Sequence, residues 1–167
     1  MIIELIPFDT KYAQSIAKYA NNKRIADNLR NAFPYPYSLD DAKKWIETTI
    51  NAGEEKQIVR IITVDGEAVG AVGVHGMSDV YCKSAEIGYW LAEPFWGRGI
   101  MTECIKEICA LAFEKFDIVR IFAEIFAFNA GSEKVLQKAG FKFEGIKKKS
   151  VFKNGKIHDS KVYASVK

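Results

Sequence analysis

Cysteine is scarce in this chain of 167 residues: only Cys82, Cys104 and Cys109 occur, at no spacing that pairs them or builds a metal site. An odd, unpaired set suits reduced thiols in a cytoplasm. Histidine is scarcer, and lone His75 and His158 carry neither a metal pattern nor a catalytic one. Lys plus Arg number 24 against 21 Asp plus Glu, and a net charge of +3 is too small to argue for nucleic acid. No apolar run approaches the ~20 residues of a membrane helix. The opening "MIIELIPFDTKY" has no basic lead into a long apolar stretch and no cleavage signal. Low-complexity segments, repeats and linkers are missing too. These absences leave one domain over residues 1–167, expected in the cytoplasm and away from membranes, with 49% hydrophobic and 27% charged residues to build an ordinary core.

"MIIELI" reads as a strand closed by Pro7. Tyr12, Ile16, Tyr19, Ile25 and Leu29 recur at helical spacing, broken near "NNK". Pro34 and Pro36 exclude "FPYPY" from helix interior, and Ser38 with Asp41 opens the helix "SLDDAKKWIETTI". "QIVRIITV", Asp65-Gly66 and "EAVGAVGVHG" form a hairpin pattern, with "KSAEIGYWLA" as a third strand. A long helix from about Gly99 to Phe116, the strand "IVRIFAEIFAF" and the short helix "SEKVLQKAG" follow. Two strands about Asn154-Gly155 end the pattern. The order predicts an α+β fold in three α/β/α layers: a mixed, mostly antiparallel twisted sheet of about six to seven strands with helices on both faces.

The stretch "EPFWGRGIMTE" asks why two glycines precede a well-formed helix. A strand that enters a helix through glycines turns unpaired amides outward at the positive end of the helix dipole, which suits a phosphate. A plain turn with a helix cap is the competing reading. The third glycine of a dinucleotide-binding loop and the Gly-Lys-Ser/Thr of a phosphate loop are both missing.

"AEIGYWLAEPFWGRGIMTE" resembles the central motif of the GNAT superfamily of acetyl-CoA-dependent N-acetyltransferases, in the branch of the Rim-type ribosomal-protein N-terminal acetyltransferases. "NLRNAFPYPYSLDDAKKWI", "NAGSEKVLQKAGFKFEG" and "KNGKIHDSKVYA" are similar to that branch's acceptor-side segment, late helix-and-strand motif and closing hairpin. The resemblance implies acetyl-CoA as acetyl donor and no metal. It also implies a diphosphate cradle of main-chain amides at Gly97, Arg98, Gly99, Ile100, Met101 and Thr102. Tyr89, Trp90 and Leu91 would lend main-chain contacts to the pantetheine arm, and Asn129 would bond the arm or cap its helix. Arg98 has a phosphate reading and a solvated-surface reading.

An amine attacking a thioester must be neutral, so a general base helps. Glu86, mid-strand between Ala85 and Ile87, is the candidate, because burial would raise its pKa toward a useful range. Its competing reading is a structural carboxylate held by backbone or by Arg120; Glu144 and Asp159 are the runners-up. Many family members place an acid Tyr on the late helix, where this chain has Leu136. Ser132 matches a serine of the Rim-type enzymes close to the coenzyme sulfur and is the candidate proton donor; otherwise it bonds only backbone. Phe33, Tyr35 and Tyr37, with Trp45 beyond, are expected either to wall the acceptor pocket or to pack a helix corner. "KKKS" at 147–150 reads as a solvated hairpin. The leading expectation is acetyl transfer to a primary amine, a protein N-terminus or a small molecule, in a direct ternary complex by a monomer or homodimer. A non-catalytic coenzyme A sensor is the alternative; a nucleotide-binding Rossmann-like domain is the third.

Overall fold

In the computed structural model, which describes residues 1–167, seven strands form one sheet in the order β1-β2-β3-β4-β5-β7-β6. Strands β1 (Ile3–Ile6), β2 (Gln57–Val64), β3 (Glu67–Gly76) and β4 (Ser84–Leu91) pair antiparallel in succession. β5 (Arg120–Phe126) then lies parallel to β4, and β7 (Lys156–Val166) and β6 (Lys142–Lys153) extend the sheet antiparallel beyond it. The expected mixed, mostly antiparallel sheet is therefore present.

Helices cover both faces because the central strands are apolar on both. α1 (Ala13–Ala20) and α3 (Leu39–Ala52) bury Ile16 and Ile46 against Ile61, Ala71 and Trp90 on one face. The helices α4 (Ile100–Lys115) and α5 (Ala130–Lys138) bury Ile105, Ile108 and Leu136 against Ile62, Val72, Ile87 and Ile121 on the other. The break near "NNK" separates α1 from the single turn α2 (Lys23–Ala26), whose start Asn22 caps through a bond to the Arg24 amide. Ser38 and Asp41 close a reciprocal capping box at the start of α3, an arrangement worth about 1 kcal/mol.

The feature that positions everything else is a short pairing. β4 and β5 are in register only at Ser84–Arg120, Ala85–Ile121 and Glu86–Phe122. From Ile87 and Ala123 onward the two strands separate, so a split opens in the middle of the sheet. The helix α4 begins just past the open end of β4. No helix is long and apolar enough to cross a membrane.

Candidate active site

The split leaves main-chain groups unused. Ala92 donates to Val69 across the β3–β4 ladder at 2.8 Å. Since antiparallel pairs alternate, the residues at 88 and 90 face β3, whereas the N–H groups of Tyr89 and Leu91 turn toward the split. Trp90, expected to offer main-chain contacts there, instead pairs its backbone with Ala71 and sends its indole into the α1–α3 core. The Leu91 carbonyl is already taken: Trp96 Nε1 donates to it at 2.7 Å. Trp96 thus braces the loop against the strand end, a role that its sequence position did not reveal.

Beyond Trp96, Gly97 and Gly99 sit at φ of 73° and 78°, in the left-handed region where L side chains are strained. A Cβ added at either would meet nothing within 4 Å, so the space in front of the loop is open. The amides of Gly97, Arg98, Gly99, Ile100, Met101 and Thr102 donate to no acceptor in the protein; the first bond of the helix runs from Glu103 to the Gly99 carbonyl. The side chains of Ile100, Met101 and Thr102 are buried beneath. Six consecutive free donors at a helix N-terminus form a cradle for a polyanion, and the residues present fit a diphosphate. Arg98 lies over the Phe95 ring, 5.7 Å from its centroid, at the rim of this cradle.

The proton-handling candidates flank the split on opposite faces. Glu86 shares the α1–α3 face with Gly88 and Trp90, by alternation along β4. Its side chain is 26% exposed, and its Oε2 accepts from Arg30 Nη2 at 2.9 Å. Oε1 has no partner. The partner is Arg30 rather than Arg120, which lies on β5 and pairs with Glu144 instead. Gly88, beside Glu86, leaves open space where a side chain would stand.

On the α4–α5 side, Asn129 caps α5: its Oδ1 accepts from the Ser132 amide and its Nδ2 donates to Ser132 Oγ, both at 3.1 Å. Ser132 Oγ is thereby an acceptor from Asn129, and its own O–H remains free to donate. Leu136 is fully buried in the core, so the place of the missing Tyr is filled by packing. Another phenol stands close by. Tyr89 Oη is buried without a partner of good geometry. Burial pushes this phenol up to about 12, with Ser132 close enough to pull weakly the other way. Sequence reasoning used only the backbone of Tyr89 and missed its hydroxyl.

The aromatic loop divides. Phe33 packs against Tyr37 and against Trp90, and Trp45 also meets Trp90. Tyr37 is buried and Tyr35 is exposed. Asp159 accepts from the Lys149 amide and so orders the bulge in β6; residues 147–150 are exposed as expected of a solvated hairpin, and Lys147 bonds Glu124 from the surface. Burial raises the Cys104 and Cys109 thiols to about 12, which leaves them poor nucleophiles. No cluster of His, Cys, Asp and Glu forms a metal site.

This geometry has known counterparts. The acetyltransferase (GNAT) domain family matches residues 3–142. An uncharacterised N-acetyltransferase of Bacillus subtilis (strain 168), YoaA, is 32% identical over 133 residues, covering 78% of this chain and 75% of its own. Among solved structures, RimL, a ribosomal L7/L12 alpha-N-protein acetyltransferase in complex with coenzyme A, superposes with a TM-score of 0.87 at 25% identity, over 98% of this chain and 93% of that one. The microcin C7 self-immunity acetyltransferase MccE, in complex with acetyl-CoA and AMP, gives 0.85 at 26% identity, over 99% and 92%. The overall fold is thus shared with proteins solved in complex with coenzyme A or acetyl-CoA, and the chain belongs to the GNAT family of acetyl-CoA-dependent N-acetyltransferases.

Proposed function

We propose that this chain acetylates a primary amine by direct transfer, with the amine entering from the α1–α3 face and the thiol leaving on the α4–α5 face. Acetyl-CoA supplies an acetyl thioester. The free amides of Gly97 to Thr102 hold its diphosphate, and the edge of β4 at Tyr89 and Leu91 holds the arm in the split. An unpaired strand N–H there faces the thioester oxygen and stabilises charge as it develops. Glu86, through its unpartnered Oε1, takes the proton that neutralises the incoming ammonium. The amine nitrogen then bonds to the acetyl carbon as the carbon–sulfur bond breaks. Ser132, its hydroxyl oriented by Asn129, gives a proton to the departing sulfur and regains one from solvent, while the new amide nitrogen sheds its extra proton to solvent, so that free thiol and neutral amide leave.

The observation that carries this reading is the run of six unpaired amides beside the split. The acceptor is a primary amine; a relative's action on a ribosomal-protein N-terminus supports a protein N-terminus as well as a small amine. Release of free thiol from acetyl-CoA, followed with peptide, polyamine, aminoglycoside and amino acid acceptors, tests it. Acceptor-dependent thiol release is expected.

The burial of Leu136 where a Tyr acid usually stands favours one second reading, a coenzyme A sensor without turnover. Tight acetyl-CoA binding with no thiol release across the panel would select it.

A further inference from the structure

Linked to Glu86 through Arg30, a cavity of about 260 Å³ is lined by Arg30, Asn31, Glu124, Phe126, Ser150 and Lys153, among others. Its charged groups do not balance. Arg30 is matched by Glu86. Glu124 is matched by Lys147 at 2.7 Å and also accepts from Ser160 at 3.0 Å, which in turn bonds Ser150 at 2.7 Å. Lys153 is left over. Only 7% exposed, it donates from Nζ to the neutral Asn31 Oδ1 at 2.9 Å, and no carboxylate lies within 4 Å of it. The nearby Asp27 acts on it only at longer range, since that carboxylate is bonded by Lys23 and Asn154. Burying an ammonium is costly unless something compensates it. An anion brought by a ligand would do so.

One side of the cavity is formed by the turn that carries Arg30 and Asn31. Arg30 ties this turn to β4 and Asn31 ties it to β6, one on each side of the split, and Asn154 fastens the same segment through Asp27. A turn bonded to strands on both sides of the split favours a compact occupant over a threaded chain. The cavity's charged lining carries both signs, a carboxylate at Glu124 and an unmatched ammonium at Lys153, and Arg30 links it to the Glu86 carboxylate. We propose that the acceptor is a small zwitterion, an α-amino acid, with its amino group toward Glu86 and Glu124 and its carboxylate on Lys153. This inference rests on the transferase reading above and narrows its acceptor.

The test compares each of the common L-amino acids with its own carboxamide, alongside spermidine, an aminoglycoside and short peptides ending in amide. Acetyl transfer and, separately, calorimetric binding to the coenzyme A-loaded chain are measured. At least one amino acid is expected to exceed its amide by tenfold or more in kcat/KM and to bind more tightly by a similar factor. In Lys153→Met that acid-to-amide ratio is expected to fall toward one, and Lys153→Arg to restore most of it, with melting temperatures confirming that both variants fold. A general structural role for Lys153 would lower acid and amide alike and leave the ratio intact; that result overturns the proposal. Transfer only to peptides, polyamines or aminoglycosides overturns it while leaving the transferase reading standing. Bound acetyl-CoA with no transfer to any amine overturns both.

Discussion

Replacing Gly99 by Ala separates two effects that one residue combines. The first is strain: at φ 78° an L side chain costs about 1–2 kcal/mol, a drop in Tm of roughly 2–8 °C for a chain of this size. The second is the loss of anion contacts, because the added methyl projects into the open space before the cradle. Hydrogen bonds to a charged group contribute roughly 1.5–3 kcal/mol each. Disrupting one or two of the six therefore costs about 2–5 kcal/mol, a rise in acetyl-CoA Kd of roughly 30- to several thousand-fold. Gly66 supplies the control. It lies at φ 83° in the β2–β3 turn, with equally open space around it and no part in the site. Gly66→Ala should lose as much Tm and none of the affinity. Melting curves and acetyl-CoA titrations of both variants decide the matter. Equal Kd values for the two variants would refute the cradle.

Glu86→Gln should slow turnover by about 100-fold, with acetyl-CoA Kd within twofold of wild type, since general-base help is typically of that size or greater; stopped-time thiol assays across pH 6 to 9 check it. Ser132→Ala should lower kcat without weakening coenzyme binding, whereas Leu136→Tyr, which forces a larger side chain into a fully buried site, should destabilise the fold by about 1–3 kcal/mol in urea melts rather than restore an acid. Burial works to raise the Glu124 carboxyl, but the bonds from Lys147 and Ser160 outweigh it and leave it below its ordinary 4.5. The depressed folded value means that this stabilisation is present above pH 4.5 and is lost as pH falls through the folded value, so the stability gap between wild type and Glu124→Gln should close on acidification. Burial, with Asp41 adding to it, raises the Tyr37 phenol to about 12, and burial does the same for Tyr89. Both neutral phenols favour the fold below the ordinary 10, and that contribution fades as pH climbs toward 12. An ultraviolet titration should find these two still protonated after the exposed tyrosines have ionised.

Much of this was legible in the sequence because it is local. Ser38 and Asp41 mark a helix start through a bond three residues long, and paired glycines announce a left-handed loop wherever they precede a helix. The order of elements followed from changes in apolar period. Contacts between distant segments were not legible. Arg30 meets Glu86 across 56 residues, and the expected Arg120 pairs instead with Glu144, which β6 brings within reach across the intervening β7. The split between β4 and β5 leaves no trace in either strand's alternation, yet it decides which amides are free; it turned Tyr89 and Leu91 toward the site and Trp90 away. Lys153 looked like any lysine next to an Asn-Gly turn, and only its burial against Asn31 sets it apart. The lysines at 147–149 are exposed, as a solvated strand requires, but the bulge at Lys149 and the reach of Lys147 to Glu124 were not legible.

A crystal structure of the chain with acetyl-CoA bound tests the central claim most directly. Diphosphate oxygens within about 3.2 Å of amide nitrogens between Gly97 and Thr102, with the arm lying in the split along β4, are the expected result. A ligand seated elsewhere, with those six nitrogens facing only solvent, would contradict it.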